Sequence, residues 1–295
     1  MIRLFSILIL VVVSSFAKAD TKTYGVVHIG LTKTNITGSL QIKDRSSYVG
    51  LKGVSVLNTE LYATYKFEIG VDLTNHSSEH LPKVNYSFIG LKSKFGELRL
   101  GIQDSAYDVV DNSMENFLTE QGNGLITESE SAKLISFITK ISPIGIYSTH
   151  IPSLEGSKAS SSMMINYASG PLYAGVAVKK EDGRNKKEGF KLVTTYKKNN
   201  LKLGYIHEKC LSEQNRVAVK GECTGAGEGR INHVSVAYSF DQSYIAAQFS
   251  RNSHASINKH TIEFGYVLGR DTKAYIEFDK VDNFRSTTIG LKTHF

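Results

Sequence analysis

Apolar and polar side chains alternate with a period of two through most of the chain. Over 60–70, Leu61, Ala63, Tyr65, Phe67 and Ile69 fall on one face, and Glu60, Tyr62, Thr64, Lys66, Glu68 and Gly70 on the other. Successive strand residues point to opposite sides, so this run predicts a β-strand with one apolar and one polar face. Thr287 to Phe295 alternate likewise, with Ile289 and Leu291 opposed to Gly290 and Lys292. A strand running to the final residue makes sense where it pairs on both sides to close a barrel. Comparable runs predict strands at 22–31, 45–53, 58–71, 84–93, 96–104, 133–141, 144–151, 160–168, 172–181, 188–198, 200–210, 231–240, 243–251, 257–268, 272–281 and 285–295. Each is near the ~9–11 residues that cross a bilayer at a tilt. The count is about sixteen, with fourteen and eighteen left open.

The connections sort into two kinds. Ser93–Gly96, Ser142–Gly145, Ser169–Pro171, Asn199–Asn200 and Asp241–Gln242 are tight turns, while 72–83, 105–132, 152–159, 182–187, 211–230 and 252–256 are longer polar links. Short and long alternate, as they do where short periplasmic turns occupy one rim of a membrane barrel and longer loops the other. A soluble sandwich has no reason to sort its loops this way. The fold class that follows is all-β, a transmembrane antiparallel barrel.

Met1-Ile2-Arg3 is a short basic start, Leu4 to Val13 an apolar run, and Ala17-Lys18-Ala19 a small-x-small site. Residues 1–19 therefore read as a signal peptide and 20–295 as the barrel domain; a retained anchor is the alternative, although the run falls short of the ~20 residues that span a bilayer. No later segment approaches a membrane helix, and only helices and closed barrels satisfy their backbone groups in lipid. The four prolines, at 82, 143, 152 and 171, all fall between strand-like runs, where a missing donor does no damage. Trp is absent, so interfacial aromatic girdles fall to Tyr24, Tyr147, Tyr167, Tyr238, Phe278 and Phe295.

The net charge of +7 falls to about +5 once Arg3 and Lys18 leave with the leader. It reads either as a solvated lumen or as a slight preference for anions. The basic residues are dispersed and accompany no binding motif, so nucleic acid is not an expected partner. Cys210 and Cys223 flank a Gly- and Glu-rich stretch; in an oxidising envelope they close a loop as a disulfide, or remain two thiols. His28 on the polar face and His207 near the far rim have no ligand spacing. No metal or cofactor is implied.

Tyr24-Gly25-Val26-Val27, Ser47-Tyr48-Val49-Gly50-Leu51-Lys52-Gly53, the hairpin Phe88-Ile89-Gly90-Leu91-Lys92…Phe95-Gly96-Glu97-Leu98-Arg99-Leu100-Gly101-Ile102-Gln103, and Ile141-Ser142-Pro143 occur in this order. The set resembles the general Gram-negative trimeric, sixteen-stranded outer-membrane porins, of the betaproteobacterial and neisserial type. That resemblance implies a homotrimer in outer-membrane lipid and lipopolysaccharide, passing small hydrophilic solutes and ions. It makes Phe295 the assembly signal read by the barrel-assembly machinery. It also implies that the third outer loop folds inward as a constriction. Ala106-Tyr107-Asp108-Val109 resembles the start of that loop, and Glu115-Asn116-Phe117 stands where the family often has Asp-Pro-Phe. The chain departs at Ile102, where the family has an arginine of its constriction.

The link 105–132 is long enough to be functional. With Asp104 it carries Asp108, Asp111, Glu115, Glu120, Glu128 and Glu130, and no Lys or Arg precedes Lys133. Asp104, Asp108, Asp111, Glu115 and Glu120 form the expected acidic side of the constriction. By parity Lys52, Lys66 and Arg99 face the lumen as its basic side, joined by Lys133 at the family's arginine position. Facing acids and bases set up a transverse field that orients dipolar solutes; the plainer reading is that some are only solvated lumen charges. A non-enzymatic diffusion channel leads. A barrel phospholipase or protease is the alternative, although no Ser–His pair stands out; a surface adhesin is the third.

Overall fold

The computed structural model describes residues 20–74, 82–114, 132–153, 159–181, 187–212, 227–253 and 257–295. Its strands are β1 (Asp20–Thr34), β2 (Leu40–Asp44), β3 (Tyr48–Val56), β4 (Tyr62–Gly70), β5 (Lys83–Ser93), β6 (Gly96–Gln103), β7 (Ala132–Ile141), β8 (Ile144–Ile151), β9 (Ser160–Ser169), β10 (Leu172–Glu181), β11 (Lys187–Lys198), β12 (Leu201–Ser212), β13 (Gly227–Phe240), β14 (Ser243–Asn252), β15 (Ile257–Val267), β16 (Thr272–Val281) and β17 (Phe284–His294). All pair antiparallel with their neighbours in one closed sheet. The ring shuts where β1 meets β17, from Val26↔His294 to Thr34↔Ser286. Gly25 and Phe295 extend this seam with two backbone hydrogen bonds of 3.1 Å. The Phe295 ring lies where a Cβ on Gly25 would stand, 2.3 Å from that position at its nearest.

On its other edge β1 pairs with β3 along Asp20–Val26 and with β2 along Ile29–Lys33. β2 and β3 are thus one strand broken at 45–47, and the barrel has sixteen strands. The predicted run 45–53 missed β2 because the break itself is polar and holds no alternation. Asp44 stabilises it: Oδ1 accepts from the Ser47 amide at 2.8 Å and Oδ2 from the Leu73 amide at 3.3 Å. Ser46 takes φ 75° there. Tight turns at one rim place Asn199 and Asp241 at φ 51°, a left-handed conformation that short polar side chains tolerate.

The alternation holds around the ring. Ile289 and Leu291 are exposed on the outer face at 59% and 48%, whereas Thr288 between such positions is buried inside. In β4 the inward set is Tyr62, Thr64, Lys66, Glu68 and Gly70, paired inward with Gly90 and Phe88 of β5. Tyr167, Tyr238, Phe278 and Phe295 are exposed on the outside. Tyr24 and Tyr147 are not girdle residues: both turn inward, where their hydroxyls bond to Glu68 Oε2 at 2.8 Å and the Asp104 carbonyl at 3.0 Å. A tyrosine buried beside an acceptor satisfies its hydroxyl as well as an interfacial one does. The predicted leader 1–19, Glu115, Glu120, Cys223 and the side chain of Cys210 lie outside the described residues.

Candidate functional site: an inward segment and a basic wall

After β6 the chain turns into the barrel. A short helix, α1 (Ala106–Val109), is followed by a 3-10 turn over Asn112–Met114. Ser105 caps α1: its hydroxyl donates to Asp108 Oδ2 at 2.6 Å and accepts from the Asp108 amide at 3.3 Å. Two further amides of the first turn are satisfied by the barrel wall. Ala106 N donates to Thr149 Oγ1 at 3.1 Å and Tyr107 N to Ser162 Oγ at 3.3 Å. Tyr173 Oη donates to the Val110 carbonyl at 2.8 Å. Orphan groups at helix ends need such partners, and here they fix the segment against β8–β10.

The seat itself is apolar. Ala106, Tyr107, Val110 and Met114 are buried against Tyr147, Met164, Ala177, Val193 and Ile206, which face inward from β8 to β12. Three wall glycines make room. A Cβ at Gly175 would stand 2.7 Å from Val110 Cγ2, one at Gly189 2.8 Å from Tyr107 Oη, and one at Gly204 2.4 Å from Met114 Sδ. Strand glycines commonly mark such close approaches.

Charge completes the attachment. Lys191, fully buried, holds Asp111 Oδ2 at 3.0 Å and lies 4.6 Å from the Tyr107 ring centroid. Tyr107 Oη donates to Glu208 Oε1 at 2.9 Å. Asp108 and Asp111, read from the sequence as facing a basic wall across the pore, instead lie buried against the wall on their own side. A buried carboxylate needs a near partner, and Lys191 is that partner for Asp111.

The basic wall is on β3–β6. Lys52 Nζ lies 4.8 Å from the Tyr24 ring centroid and Lys66 Nζ 3.1 Å from that of Tyr86. Lys66 also pairs with Glu68 at 3.3 Å. Arg99 Cζ lies 4.7 Å from the Phe88 centroid, and its Nε and Nη2 reach Glu97 at 2.7 and 2.9 Å. Thr64 Oγ1 donates to Glu97 Oε1 at 2.6 Å. Aromatic faces and neighbouring acids thus hold the three cations in a row. Asp104 is the one described acid of the segment on this side: Tyr86 Oη donates to its Oδ2, and its charge acts on Lys66.

Lys133 does not join the row. It pairs with Ile102 and shares the outward face with Ile135 and Phe137. Its neighbours Leu134 and Ile135 are both apolar, so alternation alone could not fix the parity. Ile102 also faces outward, beside Leu98 and Leu100, and Gln103 takes the inward position, accepting from Ser136 Oγ at 3.0 Å. His28 faces inward and bonds to Tyr275 Oη at 2.7 Å. His207 bonds to Asn232 Oδ1 at 2.9 Å. The glycine seat and Lys191 were missed, since strand glycines and a lysine with inward parity look unexceptional one strand at a time.

Burial pushes the Asp108 carboxyl from 3.8 up to about 6, against the opposing pull of Lys191, Ser105 and Lys179; Asp111 moves up for the same first cause. A carboxyl raised on docking favours the docked form fully below its free value and loses that contribution as pH rises through the raised one. Attachment of 105–114 is therefore expected to weaken between about pH 4 and pH 6 and to level off above. Single-channel current noise measured across that range should rise with pH, and Asp108→Asn should flatten most of the rise. Equal slopes in both proteins would remove Asp108 as the cause.

Similar solved structures share this architecture. The anion-selective porin of Comamonas acidovorans aligns with a TM-score of 0.75 at 15% identity, covering 94% of this chain and 100% of that one. OmpF of Salmonella typhi, in complex with daunomycin, aligns at 0.74 and 14%, covering 94% and 97%. The in-vitro folded trimer form of OmpT, an outer membrane protein of Vibrio cholerae, aligns at 0.72 and 12%, covering 94% and 99%. No curated protein sequence matches the chain. A family profile of Gram-negative porins matches residues 6–285, and with a closed sixteen-stranded barrel around an inward segment the chain belongs to that family, an outer-membrane channel for passive diffusion.

Proposed function

We propose that segment 105–114 narrows the channel and that Lys52, Lys66 and Arg99, with Asp104 beside them, select what passes. The observation that carries this reading is the seating of the segment inside the barrel against β8–β12, which leaves the β3–β6 wall to face the open lumen. Asp111 is neutralised by Lys191, Arg99 is shared with Glu97 and Lys66 with Glu68, so the field at the wall comes mainly from Lys52. A lumen of that sign concentrates small anions and dipolar solutes and disfavours cations. No catalytic step is assigned to any residue. The chain acts as a homotrimer in the outer membrane, in keeping with the trimer form of one similar structure.

Reversal potential in a potassium chloride gradient across a planar bilayer tests this directly. Anion preference is expected, with conductance arriving in groups of three equal steps. Lys52→Gln with Lys66→Gln should move the reversal potential toward zero without closing the pore. A cation-selective wild type, or a double variant with unaltered selectivity, would sink the assignment.

A further inference from the structure

On the outer surface of the barrel, basic side chains stand in a row across the seam. His260 of β15 is the direct ladder partner of Lys280 of β16, and Lys280 that of Arg285 of β17. Lys33 of β1 pairs with Thr287, which makes it the diagonal neighbour of Arg285 on the far side of the seam. All four are exposed. Each lies within four residues of a strand end at the rim of the longer links, which faces away from the periplasm in barrels of this kind. The β16–β17 turn above them is only Asp282 and Asn283. Below them the outer face is apolar and exposed at Leu31, Ile262, Phe278 and Ile289.

Directly opposed like charges destabilise a ladder. Among the described residues, Lys33, Lys280 and Arg285 form no ion pair or side-chain hydrogen bond. The nearby acids are turned away or engaged elsewhere. Glu277 and Asp279 of β16 face the lumen, where they bond to Arg45 and Thr261. Asp282 Oδ1 accepts from the Asn258 amide at 3.1 Å, and Asp44 holds the break at 45–47. At the same rim Lys180, by contrast, faces Glu188 across the β10–β11 ladder.

The position and spacing of the row indicate what balances it. It stands where lipid headgroups meet the apolar band, and basic clusters beside a membrane-buried surface bind anionic headgroups. Adjacent strands are about 4.8 Å apart, so a row over four strands spans about 14 Å. One phosphate bridges two neighbouring cations. Two phosphates held apart on a disaccharide reach the whole row, while the acyl chains lie on the apolar side chains below.

We propose that the outer face of β15–β17 and β1 binds a diphosphorylated glycolipid of the outer leaflet. Its headgroup grips Lys280 and Arg285 on one side of the seam and Lys33 on the other, and so clasps the barrel shut at its outer rim. The site is independent of what the lumen selects.

The full-length channel refolded in zwitterionic detergent is titrated with purified diphosphoryl lipid A, with monophosphoryl lipid A and phosphatidylcholine as comparisons. The diphosphoryl lipid should slow amide exchange at Leu31–Thr34 and Ser286–Ile289 and raise the temperature at which the folded gel band converts to the unfolded one. The monophosphoryl form should act weakly and phosphatidylcholine not at all. Lys33→Gln with Lys280→Gln and Arg285→Gln should need about a hundredfold more lipid for equal protection, since each Lys or Arg at an anionic headgroup contributes about fivefold. Lys133→Gln, an outward lysine near the same rim on β7, should match wild type. Should the triple variant fail to fold, Lys280→Gln and Arg285→Gln singly carry the same expectation at about fivefold each. Equal protection by all three lipids, protection spread evenly over β8 and β9 as well as the seam, or equal weakening by Lys133→Gln overturns the site. So does a triple variant that loses its trimers in lipid-free detergent, which would make a second copy of the chain the occupant of the patch.

Discussion

Replacing Lys191 with methionine is expected to free segment 105–114 from the wall and open the channel. The ammonium group is fully buried, holds Asp111 at 3.0 Å, and sits among Glu208, Asp108 and the Tyr107 ring. Removing one partner of a buried ion pair leaves the other charge uncompensated, at about 3–5 kcal/mol. The attachment otherwise rests on four buried apolar side chains and a few hydroxyl hydrogen bonds, so a penalty of that size is borne by the segment rather than by the barrel. Conductance should rise roughly twofold as the lumen's cross-section is vacated, and larger sugars should enter liposomes in swelling assays. Adding Asp111→Asn and Glu208→Gln should restore much of the narrow state, since replacing a whole buried charge group by neutral residues of similar volume is close to neutral. Unchanged conductance in Lys191→Met at neutral pH would show that the ion pair does not hold the segment.

The glycine seat supports a second large effect, with an internal contrast. Gly189→Leu should displace the segment, because Tyr107 is fully buried, rigid, and tied through its hydroxyl to Glu208. Overpacking of a tight core costs about 1–3 kcal/mol, and here the segment can leave while the strand accepts the new side chain. Gly204→Ala should do much less, because the atoms it meets are the Sδ and Cε of Met114, the far end of an adaptable side chain. Conductance and heat-modifiability on gels separate the two: an open, stable barrel for Gly189→Leu and a near-native channel for Gly204→Ala. Comparable conductance in both would refute the seat as the determinant of bore.

The strands were legible because lipid on one side and water on the other impose a period of two on every crossing. The same parity placed Lys52, Lys66 and Arg99 on the inner face. It did not place Lys133, whose position was taken from resemblance and whose following residues, Leu134 and Ile135, are both apolar. Leu134 is apolar and inward because this part of the inner wall is covered rather than wet. The acids of the segment were legible as a charge run, but not their direction. Asp111 meets Lys191 across eighty positions of sequence, and Val110, Tyr107 and Met114 meet glycines on three different strands. Contacts of that kind depend on how the loop re-enters the barrel, which no local pattern encodes.

The seam between β1 and β17 has a consequence for the order of folding. Nearly every other ladder joins strands adjacent in sequence and can form as a local hairpin, whereas the seam joins Val26 to His294. Closing so long a loop costs only about 3 kcal/mol more than closing a ten-residue one, because loop entropy grows with the logarithm of length. The nine-residue register of the seam and its two flanking Gly25–Phe295 bonds offset that difference once both edges are present. The sheet is therefore expected to grow by neighbouring hairpins and to zip shut last. Until it does, β1 and β17 are complementary edges, and a second unclosed copy of the chain competes with the molecule's own far end for the same partner.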